Sequence, residues 1–422
     1  MFDVTKFGVV GDGTTNNTEA IRALIETAAP TGGTLYFPPG QYLTGSIRLK
    51  SNMTLYLDAG AVILGSAREE DYLELNGIEG LRPYRSALIS AVGEKNVTIA
   101  GNGILDGQGQ NWWHIRKDRL RPRAIQMILC ENVKIKDIKI QNSATWTVHP
   151  LCCNNVTVDG ITIVNPANSP NTDGINPESC KNVHIANCHI DVGDDCITLK
   201  AGTENDMLQK TMPCENITIT NCTMHNGHGG VVIGSEMSGG VRNVVITNCV
   251  FHGTDRGVRI KTRRKRAGIV EDLMFQNIIM EDVKVPIALN TYYRCDADEH
   301  DMELFSLDAR PLDASTPIIR NISMDGLLAK RASVSAAYLY GLPECPISGL
   351  RFTNVRIQME NDGTYFDEPI MSAQRRKTCG EGLFAANVSD FVLSNVKITP
   401  ISGKDVTFHQ CEQVVLDGKQ LF

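Results

Sequence analysis

At 422 residues the chain is long enough, by size alone, for two or three domains of about 150 residues each. Its 42% hydrophobic and 21% charged content excludes a disordered or fibrous chain, and 37 Gly with only 6% aromatics argues against a core built on large rings. A balance of 41 Lys and Arg against 48 Asp and Glu, net −7, disfavours a general nucleic-acid binder and requires a local basic patch for any acidic ligand.

In chain order, the opening MFDVTKFGVVGDGTT has neither the basic nor the apolar stretch of a secretory leader, and no apolar run reaches the ~18 residues of a membrane-crossing helix. A cytoplasmic location and no membrane partner are expected. The segment NNTEAIRALIETAA then sets Ala20, Ile21, Leu24, Ile25 and Ala28 on one helical stripe, with Asn16 and Glu19 as a variant capping box. Its expected role is to plug the first rung of a stack, residues 1–45 forming an N-terminal cap and first strands.

From there a period takes over. The phrase of Asn, apolar, polar, Ile or Val recurs at Asn96, Asn132, Asn155, Asn182, Asn216 and Asn243, spaced by 36, 23, 27, 34 and 27 residues, and a second short alternating strand follows in each unit. Alternation with period two marks strands buried on one face, and a unit of ~25 residues hides that face only by stacking on its neighbours. The pattern predicts an all-β fold, a single right-handed parallel β-helix over residues 1–422 with an N-terminal capping helix. Asn-Cys at 187–188, 221–222 and 248–249 predicts an asparagine ladder at a turn and cysteines stacked inside. A zinc site from Cys188, Cys222 and Cys249 is the weaker reading, because rungs about 4.8 Å apart set ligands too far from one ion. The 13 cysteines are read mostly as free, buried small hydrophobes. The acidic stretch 292–317 breaks the period and is read as an inserted loop.

A solenoid wall displays side chains in rows, so chemistry falls at one phase of successive units. Asn171-Thr172-Asp173-Gly174, Gly193-Asp194-Asp195, Gly227-His228-Gly229-Gly230 and Arg259-Ile260-Lys261 do this, with gaps of 21, 34 and 31 residues from Asp173 to Asp194 to His228 to Arg259. Three carboxyls on one wall would repel and push at least one pKa upward, which suits a general acid beside general bases. Adjacent Asp194 and Asp195 serve one site only at a bend, which Gly193 would provide. Arg259 and Lys261 fall on one face of a strand with Ile260 inward, where a sugar carboxylate is a natural partner. Six of the eight residues from Arg259 to Arg266 are basic; the part from Arg263 to Arg266 is read equally as a solvated loop and as a patch steering an acidic substrate.

The set NTD, GDD, GHG and RIK, in this order on a β-helix pattern, resembles the polygalacturonase family of pectin-degrading glycoside hydrolases. The resemblance implies cleavage of α-1,4-galacturonide bonds with inversion and without cofactor or metal. It implies Asp194 as the general acid, Asp173 and Asp195 as the carboxylates that activate water, and His228 as support for the acid's protonation state. Substrate would be held by Arg259, Lys261, Asn171 and a tyrosine one turn past RIK, for which Tyr292 is chosen with Tyr293 as the correction. Trp146 and His149 resemble a segment lining the cleft and are left outside the site. Inversion predicts carboxyls roughly 6.5 to 9.5 Å apart. The loop AGTENDMLQKTMP after Lys200 is longer than in compact members and would close one end of a cleft, so exo action is expected. A calcium-dependent lyase of pectate-lyase type, a non-catalytic carbohydrate-binding β-helix, and a rhamnogalacturonan-type substrate are the alternatives.

Overall fold

The computed structural model describes residues 1–294, 297–298, 300–360, 363–399 and 405–421. They form two compact units, Met1–Cys196 and Ile197–Phe422, each a right-handed parallel β-helix.

In the first unit, three strand ladders run up the stack. The longest joins Gly33–Phe37, Met53–Leu57, Lys95–Gly101, Glu131–Lys136, Asn154–Asp159 and Lys181–Ala186, all parallel. Period-two alternation turns every second residue inward, and in-register pairing then stacks like on like. Leu35, Leu55, Ile99, Ile135, Val158 and Ile185 form one fully buried aliphatic column.

The recurrent asparagines start each rung. Asn52, Asn96, Asn132 and Asn155 all hold the left-handed backbone that Asn tolerates better than other non-glycine residues. Each side-chain amide donates to the carbonyl oxygen of the one before, at 2.8, 3.0 and 2.7 Å. Asn187, Asn221 and Asn248 are likewise left-handed, and the cysteines after them are buried, as the Asn-Cys phrase predicts. A second column, Cys130, Cys153 and Cys180, is linked by backbone N–H donation to the sulfur of the next rung. Burial pushes the Cys153 thiol far up, so it behaves as a small apolar side chain. None of the twelve described cysteines is in a disulfide.

The predicted helix spans Thr18–Ala28 and buries Ile21, Leu24, Ile25 and Ala28 beside the strand Ile47–Arg48. Its start differs from the expected capping box. Asn17 is the cap residue, the Asn16 side-chain oxygen Oδ1 accepts from the Thr18 amide, and Glu19 pairs forward with Arg22 rather than back to the cap. Asn17 instead ties the entering chain to the carbonyls of Val10, Thr15 and Leu43.

In the second unit, Cys214–Thr220, Val241–His252, Ile269–Glu281, Ile318–Ala332, Ile347–Thr353 and Val388–Ser394 repeat the arrangement. Its column is heavier: Ile219, Ile246, Phe275, Met324, Phe352 and Leu393. A seven-stranded parallel sheet forms another wall, from Ile197–Leu199 to Val406–His409, and contains Arg256–Lys261 and Val285–Asn290. The insertion at 292–317 carries a one-turn helix, Met302–Phe305, capped by the Asp301 carboxylate, with Leu304 and Phe305 packed on Tyr292 and Leu342. Cys295, Asp296 and Glu299 of that insertion lie outside the described residues. No helix among the described residues is long and apolar enough to cross a membrane.

Candidate active site

In the first unit, the strand His189–Val192 ends in a bend at Gly193 and Asp194. Gly193 is required there by close approach: a Cβ at that position would sit 2.5 Å from the Ser169 carbonyl oxygen and 2.6 Å from that of Pro166. The bend lets neighbouring aspartates converge. One oxygen each of Asp173, Asp194 and Asp195 lies within 4.8 Å of the others, with Asp173 and Asp195 buried and Asp194 half-buried. These oxygens lie closer than the roughly 6.5 to 9.5 Å expected between carboxyl groups, because Asp194 and Asp195 are neighbours at one bend and Asp173 lies on the rung before. Their field reaches inward: burial first, then Asp195, Asp191, Asp173 and Asp194, drive the adjacent Cys196 thiol far up and keep it protonated.

The Asn176 amide holds one Asp173 oxygen at 3.0 Å, and the Asp195 amide donates to the Asp194 side chain at 2.9 Å. Asn171, in left-handed backbone, accepts a 2.7 Å hydrogen bond from Arg121, whose guanidinium also donates to the carbonyls of Ala144 and Pro170. Arg121 is buried, and desolvation lowers its pKa. Sequence reasoning missed it, since nothing near position 121 carries the repeat. Arg123 was missed as well: its guanidinium lies over the rings of Tyr84 and Trp146 at 4.7 and 5.0 Å, and buried His149, left outside the site by the sequence, meets Glu178 at 2.9 Å. Trp146 is thus a packing partner of Arg123 and of the His149 ring.

In the second unit, His228 is exposed between glycines, its Nδ1 2.8 Å from Asp255 Oδ2. Arg259 and Lys261 share the outer face of Arg256–Lys261 with Ile260 inside, as the alternation predicts. They are not open to solvent, however: Arg259 and Lys261 are 2% and 6% exposed, and the Tyr293 ring lies over both at 5.5 and 5.3 Å. Tyr293, not Tyr292, is the tyrosine beside the cations. The strand ends at Asn290, and beyond it Tyr292 packs into the cluster with Leu304, Phe305 and Leu342 and receives Arg264 at 5.6 Å.

The rest of the basic run is neither a solvated loop nor an anion trap. Arg263 and Arg266 both pair with Glu204, at 2.9 and 2.7 Å, which ties down the loop after Leu199. Arg264 makes a two-pronged pair with Glu344 at 2.6 and 2.9 Å and donates to the carbonyls of Leu304 and Ser306, and Lys265 pairs with Glu303. A buried guanidinium is tolerated when its charge is matched, and these carboxylates do that, although Nε of Arg263 and Nε and Nη2 of Arg266 find no hydrogen-bond partner among the described residues. One further pair, Lys200 and Glu236 at 2.7 Å, sits nearby; burial would raise the Glu236 carboxyl, but Lys200, Arg266 and Lys261 bring it down to about 2.

Along the seven-stranded sheet, Arg259 pairs in register with Ala288, then Tyr338, then Phe384. Ile370 covers this row beyond Arg259, packing with Ala288, Tyr338 and Phe384. It belongs to a strap, residues 363–378, fixed by Arg256 to the carbonyls of Glu368 and Pro369, by Arg294 to Glu368, and by the pairing of Ser372 with Tyr293.

Residues 79–364 match the model of a family described as glycosyl hydrolases family 28. A probable polygalacturonase of Vitis vinifera is 35% identical over 374 residues, covering 84% of this chain and 73% of the relative. An exo-poly-alpha-D-galacturonosidase of Dickeya chrysanthemi is 30% identical over 338 residues, covering 67% and 55%. Among solved structures, a hyperthermoactive exopolygalacturonase from Thermotoga maritima superposes with a TM-score of 0.74 at 26% identity over 99% of this chain and 92% of that one. A family 28 exopolygalacturonase from Yersinia enterocolitica shares the fold, with a TM-score of 0.82 at 21% identity over 100% and 79%.

Proposed function

The chain belongs to glycosyl hydrolase family 28 and is an enzyme of polygalacturonase type, and from that premise we propose that it hydrolyses α-1,4-galacturonide bonds at the ends of galacturonate chains. The convergence of Asp173, Asp194 and Asp195 within 4.8 Å carries this reading. Asp194, the least buried of the three, gives its proton to the glycosidic oxygen as the bond to C1 breaks. Water held by Asp173 and Asp195 attacks C1 and passes its proton to one of them. The family resemblance assigns His228 the support of the acid's protonated state. Arg259 and Lys261 take a galacturonate carboxylate, with Tyr293 in the place expected of Tyr292 and Asn171 completing the substrate contacts. Because both cations are nearly buried, a carboxylate that reaches them is largely dehydrated, and a charge-assisted hydrogen bond is stronger there than in water.

Exo action is supported by the strap over the sheet row beyond Arg259, which leaves little of that row for further sugars, and by the names of the relatives. Inversion rests on family resemblance alone. The close approach of one oxygen from each carboxylate, within 4.8 Å, also admits a second reading, retention through a glycosyl-enzyme. One experiment separates these readings. The protein is incubated with tri- and polygalacturonate with and without chelator, products are sized by chromatography, and the first anomer formed is read by proton NMR. Monomer alone from the outset, as the β-anomer, is expected. A ladder of sizes means endo action, an initial α-anomer means retention, and an ultraviolet-absorbing product that chelator abolishes means elimination. No product from either substrate removes the reading.

A further inference from the structure

His228 stands between Gly227 and Gly229 on an exposed turn, with 53% of its side chain open to solvent. Asp255, to which the roles above assign nothing, holds it in two ways. Its backbone amide donates to the Gly227 carbonyl at 2.9 Å, fixing the turn that carries the histidine. Its carboxylate meets His228 Nδ1 at 2.8 Å. The same carboxylate has Lys284 Nζ at 2.8 Å on its other oxygen and Arg256 Nη1 at 3.4 Å. Both cations are anchored in turn, Arg256 to the carbonyls of Glu368 and Pro369, and Lys284 to Asp367 at 3.5 Å under the Tyr365 ring. Burial opposes the charge on Asp255, but His228, Lys284 and Arg256 overcome it and hold the carboxyl well below the usual carboxylate range.

An ionised carboxylate only accepts hydrogen bonds, so the hydrogen of a neutral imidazole facing it sits on Nδ1. We propose that Asp255 is a positioning residue for His228: it locks the imidazole in the Nδ1–H form and leaves Nε2 as the nitrogen available to the reaction, with Lys284 and Arg256 keeping the carboxylate in place. Its catalytic consequence rests on the reading above that His228 serves hydrolysis; the pair itself does not. The strap 363–378 enters the same chain of contacts, because both cations that hold Asp255 also hold the strap.

The test has one arm that needs no turnover. With histidines labelled in ¹⁵N, long-range proton–nitrogen spectra near neutral pH are expected to report Nδ1–H for neutral His228 in the wild type and in Asp255→Glu. In Asp255→Asn a shift toward Nε2–H is expected. In the second arm, Asp255→Asn is expected to lower kcat on trigalacturonate by about 10- to 100-fold, part of the ~10²–10⁴ that a positioned proton-transfer group supplies, with KM changed less than about twofold. Asp255→Glu restores most of the rate. In a His228→Ala background, Asp255→Asn is expected to have no further effect. An unchanged tautomer in Asp255→Asn overturns the proposal, and so does an equal fall in kcat with and without His228. If Asp255→Asn does not fold, Asp255→Ser is put through both arms with the same expected and overturning results. A wild-type protein inactive on every galacturonide removes the reading of function, and the nitrogen spectra then decide the His228–Asp255 pair alone.

Discussion

Arg259 to Lys261 and Arg263 to Arg266 are neighbours in one basic run, yet the fold uses them in opposite ways. The first two stand on a strand, alternate outward around Ile260 and lie under the Tyr293 ring. The last four follow the strand, and each meets a carboxylate from distant sequence: Glu204 for Arg263 and Arg266, Glu344 for Arg264, Glu303 for Lys265. A run of like charge in a sequence is therefore not a patch on a surface. What decides its use is whether the strand continues, because inside a strand alternation sets direction and beyond it the chain finds partners.

That contrast separates charges proposed to face a substrate from charges that face the protein, and variants distinguish them by which measurement moves. The largest effect is expected for Asp194→Asn, which removes the proposed acid. Turnover falls about 10²- to 10⁴-fold while oligogalacturonate binding, measured by calorimetry, and the melting temperature persist. A rate near wild type would take Asp194 out of its role. Arg264→Ala is the opposite case: it strands Glu344 and three carbonyls, so unfolding free energy in denaturant titration falls by about 3–5 kcal/mol, and the molecules that remain folded keep their KM. A raised KM at unchanged stability would place Arg264 with the substrate-facing group.

Lys261→Ala is expected to raise KM for acidic sugars roughly 10-fold or more, the value of one charge-assisted hydrogen bond, with little change in melting temperature. An unchanged KM removes Lys261 from the carboxylate site. Tyr293→Ala follows with a several-fold rise in KM, whereas Tyr292→Ala lowers stability, since one ring covers cations and the other fills a core. The smallest effect concerns acid stability. Glu236 titrates at about 2 when folded against 4.5 ordinarily, so its contribution is fully present above about pH 4.5 and is lost as pH falls toward 2. Glu236→Gln is expected to lower stability near neutrality and to flatten its dependence on pH over that interval; an unaltered acid limb in thermal melts would refute this.

The parts legible in the sequence are those governed by the period. The column from Leu35 to Ile185, the left-handed asparagines and the outward pair around Ile260 all follow from alternation plus stacking. So does the meeting of Asp173 with Asp194 and Asp195, because equal phase in consecutive units becomes adjacency. What was not legible lies between the rungs, where no period operates. Glu204 and Glu344 are 59 and 80 residues from the arginines they hold, and nothing local marks them as partners. The choice between Tyr292 and Tyr293 is a matter of parity, lost when the strand ends at Asn290. The carboxyl separation depends on bend geometry, and Asp255 resembles any acidic residue before a strand until His228 is seen on it.

The asparagine ladder has a consequence for descent. The same side-chain bond joins Asn132 to Asn155 across 23 residues and Asp272 to Asn321 across 49, an interval that contains the whole insertion. A rung is thus addressed by its first residue and not by its length. Mutation is free to lengthen the chain between two such addresses, and the columns above and below remain aligned. New walls, straps and anchors for a different sugar chain are in this sense additions to the text between fixed line beginnings, which is how a lineage keeps one scaffold while changing what it digests.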